Sequence, residues 1–203
     1  MSLLKAIQAK GGLPKGVELQ VISPRGYFLY SPLLPAAAAG TIETRSIVEP
    51  VRSFLPPGSS FIEAEALSID PHSRVVQCKS RLGGGSEHFP VPYDTLIVAT
   101  GAVNTTFGTP GVREHGFFLK TAEDVIRLRT RIHDSIELAS LPSTPPSERA
   151  RLLSIVVCGG GPTGSELAAE LNDLIQEDLK KLYPHLAGEL RVTVVDSNCH
   201  VLC

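Results

Sequence analysis

The stretch Ser154 to Glu170, SIVVCGGGPTGSELAAE, restricts the possible folds more than any other part of the chain. Ile155, Val156, Val157 and Cys158 form a short apolar run, the pattern of a parallel strand covered on both faces. Gly159, Gly161 and Gly164 then complete G-x-G-x-x-G, and Pro162 to Tyr183 reads as the helix that follows. In such a turn the first glycine permits the tight bend. The second lets the backbone approach a pyrophosphate, and the third lets helix pack on strand. The helix start adds free amides and the positive end of its dipole.

A second apolar run, Leu190 to Val195, ends in Asp196, an acid suited to accept hydrogen bonds from both hydroxyls of an adenine ribose. Together these features predict a dinucleotide site. The competing reading is a glycine-rich turn that binds nothing. Asp196 falls later than the usual spacing of about 20 residues, which a lengthened crossover over Asn172 to Gly188 explains, with Pro184 and Gly188 marking the helix end. With no Arg or Lys directly after the strand, the acid favours NADH over NADPH.

At 203 residues and a net charge of −2, the chain has room for one large or two small domains and no basic excess for nucleic acid. Cys78, Cys158, Cys199 and Cys203 show no C-x-x-C and no metal-ligand spacing, so neither a disulfide-built fold nor a metal site is expected. Cys158 reads as a packing residue of the buried strand, and Cys199 and Cys203 as incidental thiols at an exposed end. The histidines lie apart, and none reads as a metal ligand; His115 reads as structural. No apolar run reaches the roughly 18 residues needed to span a bilayer. The first residues resemble neither a signal nor a transit peptide, so membrane association is expected only through a longer protein or a partner.

Along the chain, Ser2 to Ala9 predicts the tail of a helix closed by Gly11, Gly12 and Pro14, followed by a strand over Val17 to Ile22. The aromatic, proline-punctuated Ser23 to Pro35 predicts an ordered loop. Thr41 to Phe54 predicts a helix capped by Thr41, with Thr44 or Ile47, Val48 and Val51 inward and Pro50 kinking or ending it. Phe61 to Ile69 and Arg74 to Lys79 predict strands joined through Asp70, Pro71 and His72. Phe89 to Pro92 resumes the ladder after a flexible tip at 83–87. Tyr93 to Ala102 predicts a strand entering a Thr-Gly turn. Thr121 to Ser140 predicts an amphipathic helix with Thr121 and Asp124 as its capping signal, and Pro142 to Arg149 a linker.

The segments VISPRGYFLYSPLLP, GTIETRSIVEPVR, YDTLIVATGAVNTTFGTPGVREHGFFLKTAEDVIRLR and IVVCGGGPTGSELAAELNDLIQEDLKKLYPHL, with the strand ending VTVVD, cover nearly the whole chain in order. Through them the chain resembles the type II, non-proton-pumping NADH:quinone oxidoreductases. The resemblance implies an α/β, Rossmann-like flavoprotein with two dinucleotide-binding domains and a small antiparallel β insertion. Residues 1–116 would form a partial FAD-binding domain and 117–203 the N-terminal part of the NADH-binding domain. The implied chemistry is hydride transfer from NADH to flavin, then electron transfer to a quinone, with the cofactor carrying the chemistry and the protein positioning it.

By the same resemblance, Ser23, Pro24 and Arg25 approach the FAD adenosine and phosphates, and Thr100, Gly101 and Ala102 lie near the flavin. Tyr27 to Pro35 approaches the isoalloxazine and the quinone, with core filling by Phe28, Leu33 and Leu34 as the alternative. Gly159, Gly161, Pro162, Thr163, Gly164 and Asp196 hold NADH. Glu166 faces the nicotinamide, although it or Glu170 could instead be solvated or ion-paired, and Arg25 could be a plain surface residue. A quinone acceptor, a peripheral position at the mitochondrial inner membrane and a homodimer are the implied surroundings.

The family's first strand and first G-x-G-x-x-G would precede Ser2, and further NADH-domain strands, a closing FAD segment and a membrane-binding region would follow Cys203. The expectation is an incomplete fold that binds FAD poorly. The non-enzymatic reading is therefore a catalytically dead fragment retaining weak nucleotide binding or a protein-interaction role. A flavoprotein disulfide reductase is disfavoured by the lack of a redox cysteine pair. A ferredoxin-reductase or apoptosis-inducing-factor type of flavoprotein is allowed by the fold.

Overall fold

The computed structural model describes residues 2–81, 87–186, 188–197 and 202. The expected tip at 83–87 lies outside these except for Glu87, and so do Cys199 and Cys203. In chain order the elements are α1 (Ser2–Ala9), β1 (Leu19–Ser23), β2 (Tyr27–Leu29), α2 (Leu34–Ala39), β3 (Val48–Pro50), β4 (Ser59–Asp70), β5 (Val75–Ser80) and β6 (His88–Pro92). Then come α3 (Val112–His115), α4 (Ala122–Ser140), α5 (Pro146–Leu152), β7 (Ser154–Cys158), α6 (Pro162–Asp173), a π-helical stretch Leu174–Leu179, α7 (Lys180–Leu182) and β8 (Arg191–Val195). The elements fall into two compact units, Met1–Phe28 with Val48–Ala102, and Leu29–Ile47 with Val103–Cys203.

The first unit is built on a mixed sheet ordered β1-β4-β5-β6. β1 runs parallel to β4, with Leu19 opposite Ser59 and Ser23 opposite Glu63, while β4, β5 and β6 are antiparallel. The turn between β4 and β5 is closed by Asp70, whose carboxylate accepts from the His72 and Ser73 amides and from the Ser73 hydroxyl. This is an Asx-type turn, for which Asp is suited because its short side chain mimics a backbone carbonyl. A register shift between Ala66 and Ser68 marks a bulge that leaves Leu67 exposed. Ala64, Val76, Cys78 and Val91 form one core, and burial pushes the Cys78 thiol's pKa up. Leu4 of α1 packs with Val51 and Phe54, and Phe28 meets Phe54 edge-on with ring centroids 6.5 Å apart.

The second unit places helices on one face of the parallel pair β7–β8. Leu153, Leu171, Ile175, Leu179 and Leu186 gather with Ile132, Ile136 and Ala139 of α4. The start of α4 is closed by its own residues. The Asp124 amide donates to the Thr121 hydroxyl, and the Asp124 carboxylate accepts from the Thr121 and Lys120 amides. The short α2 is buried along its whole length, which its alanines permit because they let neighbouring helices come close. It ends at Gly40, whose φ of +90° favours glycine.

Four expectations need correction. Thr41 to Phe54 is not a helix. It is two 3₁₀ turns, Thr44–Ile47 and Val51–Phe54, on either side of β3. The residue before Pro50 is biased away from α geometry, and pairing with β2 satisfies the segment better than a broken helix would. Ser23 to Pro35 is not simply a loop, since it contains β2 and the start of α2. Tyr93 to Ala102 forms no strand: among the described residues no strand pairs with it, and an apolar run without a ladder partner cannot be one. The linker at 142–149 gives way at Pro146 to α5, where proline suits a first helical turn.

Candidate nucleotide-binding site

β7, the glycine turn and α6 follow the order read from the sequence, and β8 runs parallel beside β7 with Cys158 opposite Val195. The ladder continues one step into the turn, where the Gly159 amide donates to the Val195 carbonyl at 2.8 Å. Gly159 has φ +112°, a conformation closed to most side chains. The third glycine is required by packing: a Cβ on Gly164 would lie 1.9 Å from the Gly159 carbonyl oxygen. Around Gly161 the reverse holds. A Cβ there would meet nothing within 4 Å, so the turn is open on the side where a ligand's phosphates would come.

Gly161 is the N-cap of α6, with Pro162 next and no side-chain cap. The Thr163 and Gly164 amides therefore lie in the first turn, where a helix has no carbonyl partners of its own to offer. Asp196 lies directly after β8, and its Oδ2 accepts from the Gly160 amide at 2.5 Å. The structure thus brings together Gly159, Gly161, Pro162, Thr163, Gly164 and Asp196. Sequence reasoning missed Gly160 and Ser165. The Ser165 hydroxyl donates to the Gly160 carbonyl at 3.1 Å, and neither residue stands out in the motif.

Glu166 is exposed in the second turn of α6. Glu170 accepts a 2.7 Å hydrogen bond from the Thr41 hydroxyl. The strand itself departs from expectation on one face. Ile155 and Val157 point to the helices, whereas Val156 (55% exposed) and Cys158 do not, and Val195 is 51% exposed. Cys158 is therefore not a packing residue and β7 is covered on one face only, because helices lie on a single side of this pair.

Ser23, Pro24, Arg25, Thr100, Gly101 and Ala102 lie in the first unit, whereas the segment Tyr27 to Pro35 passes from the first unit into the second at Leu29. Ser23 closes β1, with its hydroxyl accepting from the Arg25 amide at 3.2 Å and donating to the Arg25 carbonyl at 3.0 Å. Pro24 and Arg25 are exposed, and the Arg25 guanidinium lies 5.9 Å from the centre of the Tyr27 ring. This is the carboxyl end of a parallel strand, where open α/β sheets bind ligands, and a cation with a hydroxyl suits phosphate or ribose. Thr100, Gly101 and Ala102 are exposed in irregular backbone, with Gly101 at φ +73°. In the segment expected near flavin and quinone, Phe28 and Leu34 are packing residues, whereas Tyr30 and Leu33 are exposed. No group of metal-ligating side chains occurs among the described residues.

Residues 4–202 match the family model of pyridine nucleotide-disulphide oxidoreductases. The chain belongs to that family. It is 48% identical over 190 residues to the mitochondrial external alternative NAD(P)H-ubiquinone oxidoreductase B2 of Arabidopsis thaliana, covering 91% of this chain and 33% of that protein. It is 46% identical over 190 residues to the mitochondrial external NADH-ubiquinone oxidoreductase 2 of Saccharomyces cerevisiae, covering 91% and 34%. Among solved structures, NDH2 from Plasmodium falciparum in complex with NADH superposes with a TM-score of 0.88 at 29% identity, covering 93% of this chain and 38% of that one. The chain spans about a third of the length of the curated relatives it matches.

Proposed function

We propose that this chain is part of a FAD-dependent NADH dehydrogenase that passes electrons to a quinone. The observation that carries the reading is the turn from Gly159 to Gly164, open at Gly161, closed at Gly164 and joined to Asp196. The names of the similar proteins, which are NADH- or NAD(P)H-ubiquinone oxidoreductases, support the same chemistry.

The Gly161, Thr163 and Gly164 amides bind the pyrophosphate of NADH with the α6 dipole behind them, and Pro162 presets the helix start. Asp196 accepts from the adenine ribose, and its negative charge disfavours a 2′-phosphate. Glu166 serves the nicotinamide end. Ser23, Pro24 and Arg25 hold the adenosine and phosphate part of FAD, and Thr100, Gly101 and Ala102 hold its flavin part. When bound, FAD supplies a two-electron acceptor for the hydride and a donor to the quinone. Assigned by ligand, residues 1–116 serve FAD and 117–203 serve NADH, a division that differs from the packing units. The similar proteins are named as mitochondrial, and a peripheral position at the inner membrane is the site of action proposed for this chain. No helix among the described residues is long and apolar enough to cross a membrane. A homodimer is the assembly to test first.

The test is the visible spectrum of the purified chain after incubation with FAD, followed by anaerobic NADH. A retained flavin band that bleaches supports the proposal. A folded, colourless protein to which NADH does not bind would sink it.

A further inference from the structure

We propose that Asp196 is a positioning residue of the glycine turn in addition to its ribose role, an inference that rests on the nucleotide reading above. Gly160 is buried, and both its backbone N–H and its backbone C=O are tied down. Its amide donates to Asp196 Oδ2 at 2.5 Å, while its carbonyl accepts from the Ser165 hydroxyl at 3.1 Å and from the Leu202 amide at 2.8 Å. The neighbouring peptide is held too, through the Gly159 amide to the Val195 carbonyl.

The bond from Asp196 joins the end of β8 to the middle of the turn, across 36 residues of chain. It has two consequences. First, the Gly160 amide is committed to the protein, so the phosphate donors are Gly161, Thr163 and Gly164 and not Gly160. Second, a buried amide that loses its carboxylate acceptor is costly, so without Asp196 the turn relaxes away from the ligand-ready form. One side chain therefore fixes where the phosphates sit and where the ribose sits, which sets the distance between the two subsites.

The test separates the two roles with two variants and two probes on the full chain. Amide hydrogen exchange at Gly160, followed by NMR without ligand, reads the bond. Binding of inorganic pyrophosphate, which has no ribose, reads the turn, and binding of NADH reads both. Asp196→Ala is expected to speed Gly160 exchange about tenfold, the scale of one lost hydrogen bond. It should weaken pyrophosphate and NADH alike. Asp196→Asn, whose amide oxygen still accepts, should restore Gly160 protection and pyrophosphate binding while NADH stays weakened. If Asp196→Ala leaves Gly160 exchange and pyrophosphate affinity at wild-type values and only NADH weakens, the residue is a ribose acceptor alone and the proposal is overturned. A wild-type chain that binds neither probe defeats the nucleotide reading itself, a failure told apart because exchange at Gly160 is read without ligand.

Discussion

Residues 154–159 and 96–101 are each a short apolar run closed by a glycine, SIVVCG and LIVATG, yet they end in different structures. The first is β7, bonded along its length to β8 and carrying the glycine turn on its end. The second has no regular structure, and Ile97 and Val98 are 62% and 63% exposed. Both runs have the branched side chains that suit a pleated surface. What separates them is partners: β7 has a parallel neighbour and a layer of helices, and no described strand pairs with 96–101. A strand is a property of a pair, so an apolar run predicts a strand only where something meets its backbone and one of its faces.

The most severe way to break the better-formed region is Gly164→Val. The added carbon falls at 1.9 Å from the Gly159 carbonyl oxygen, and backbone cannot yield there as a flexible side chain could. Overpacking of this kind costs about 3 kcal/mol. Urea unfolding should show that loss together with loss of NADH binding, and a wild-type midpoint would mean that helix and turn do not pack this closely. Next comes Val157→Ala, which opens a cavity on the covered face of β7, where Val157 is 7% exposed. About 2 kcal/mol is expected by the same measurement.

Helix α4 marks the opposite limit, since its start needs no distant partner. Thr121→Ala removes the acceptor of the Asp124 amide and should cost about 1 kcal/mol in urea unfolding. Its partner Asp124 gives a pH signature. Burial acts to raise its pKa, but hydrogen bonds from the Arg127 guanidinium, the Lys120 amide, and the Thr121 hydroxyl and amide outweigh burial and hold it below the usual carboxylate value. Its folded pKa is thus depressed. Its contribution to stability is fully present above the unfolded value, near pH 4, and is lost as pH falls through the folded pKa. Asp124→Asn should flatten the fall in thermal midpoint below about pH 4. An unchanged acid limb would show that the box contributes no charge-linked stability.

How much could be read beforehand follows the same division between local and distant causes. The α4 cap, the Asp70 turn and the strand–turn–helix at 154–173 were legible because each depends on neighbours in sequence. The exposure of Cys158 was not, because which face of a strand is covered depends on what packs against it. The π-helical stretch at 174–179 was also hidden, since Ile175 and Leu179, four apart and both buried, fit an ordinary α-helix face equally well. Gly160 carries no signal either: its amide matters only because Asp196 arrives beside it from the end of β8. The bond from Thr41 to Glu170 was hidden as well, since Thr41 comes from a segment that sequence alone placed in a helix.

The smallest expected effect is the sharpest test of the comparison. Val98→Ala makes the same chemical change as Val157→Ala, in a run of nearly the same composition. With Val98 63% exposed there is little apolar area to lose, and the change should stay within about 0.5 kcal/mol in urea unfolding. A cost near that of Val157→Ala would mean that residues 96–101 are covered in solution and paired after all, and the contrast between the two runs would collapse. A near-zero value beside a large one at Val157 would show that the difference lies in the neighbours and not in the residues.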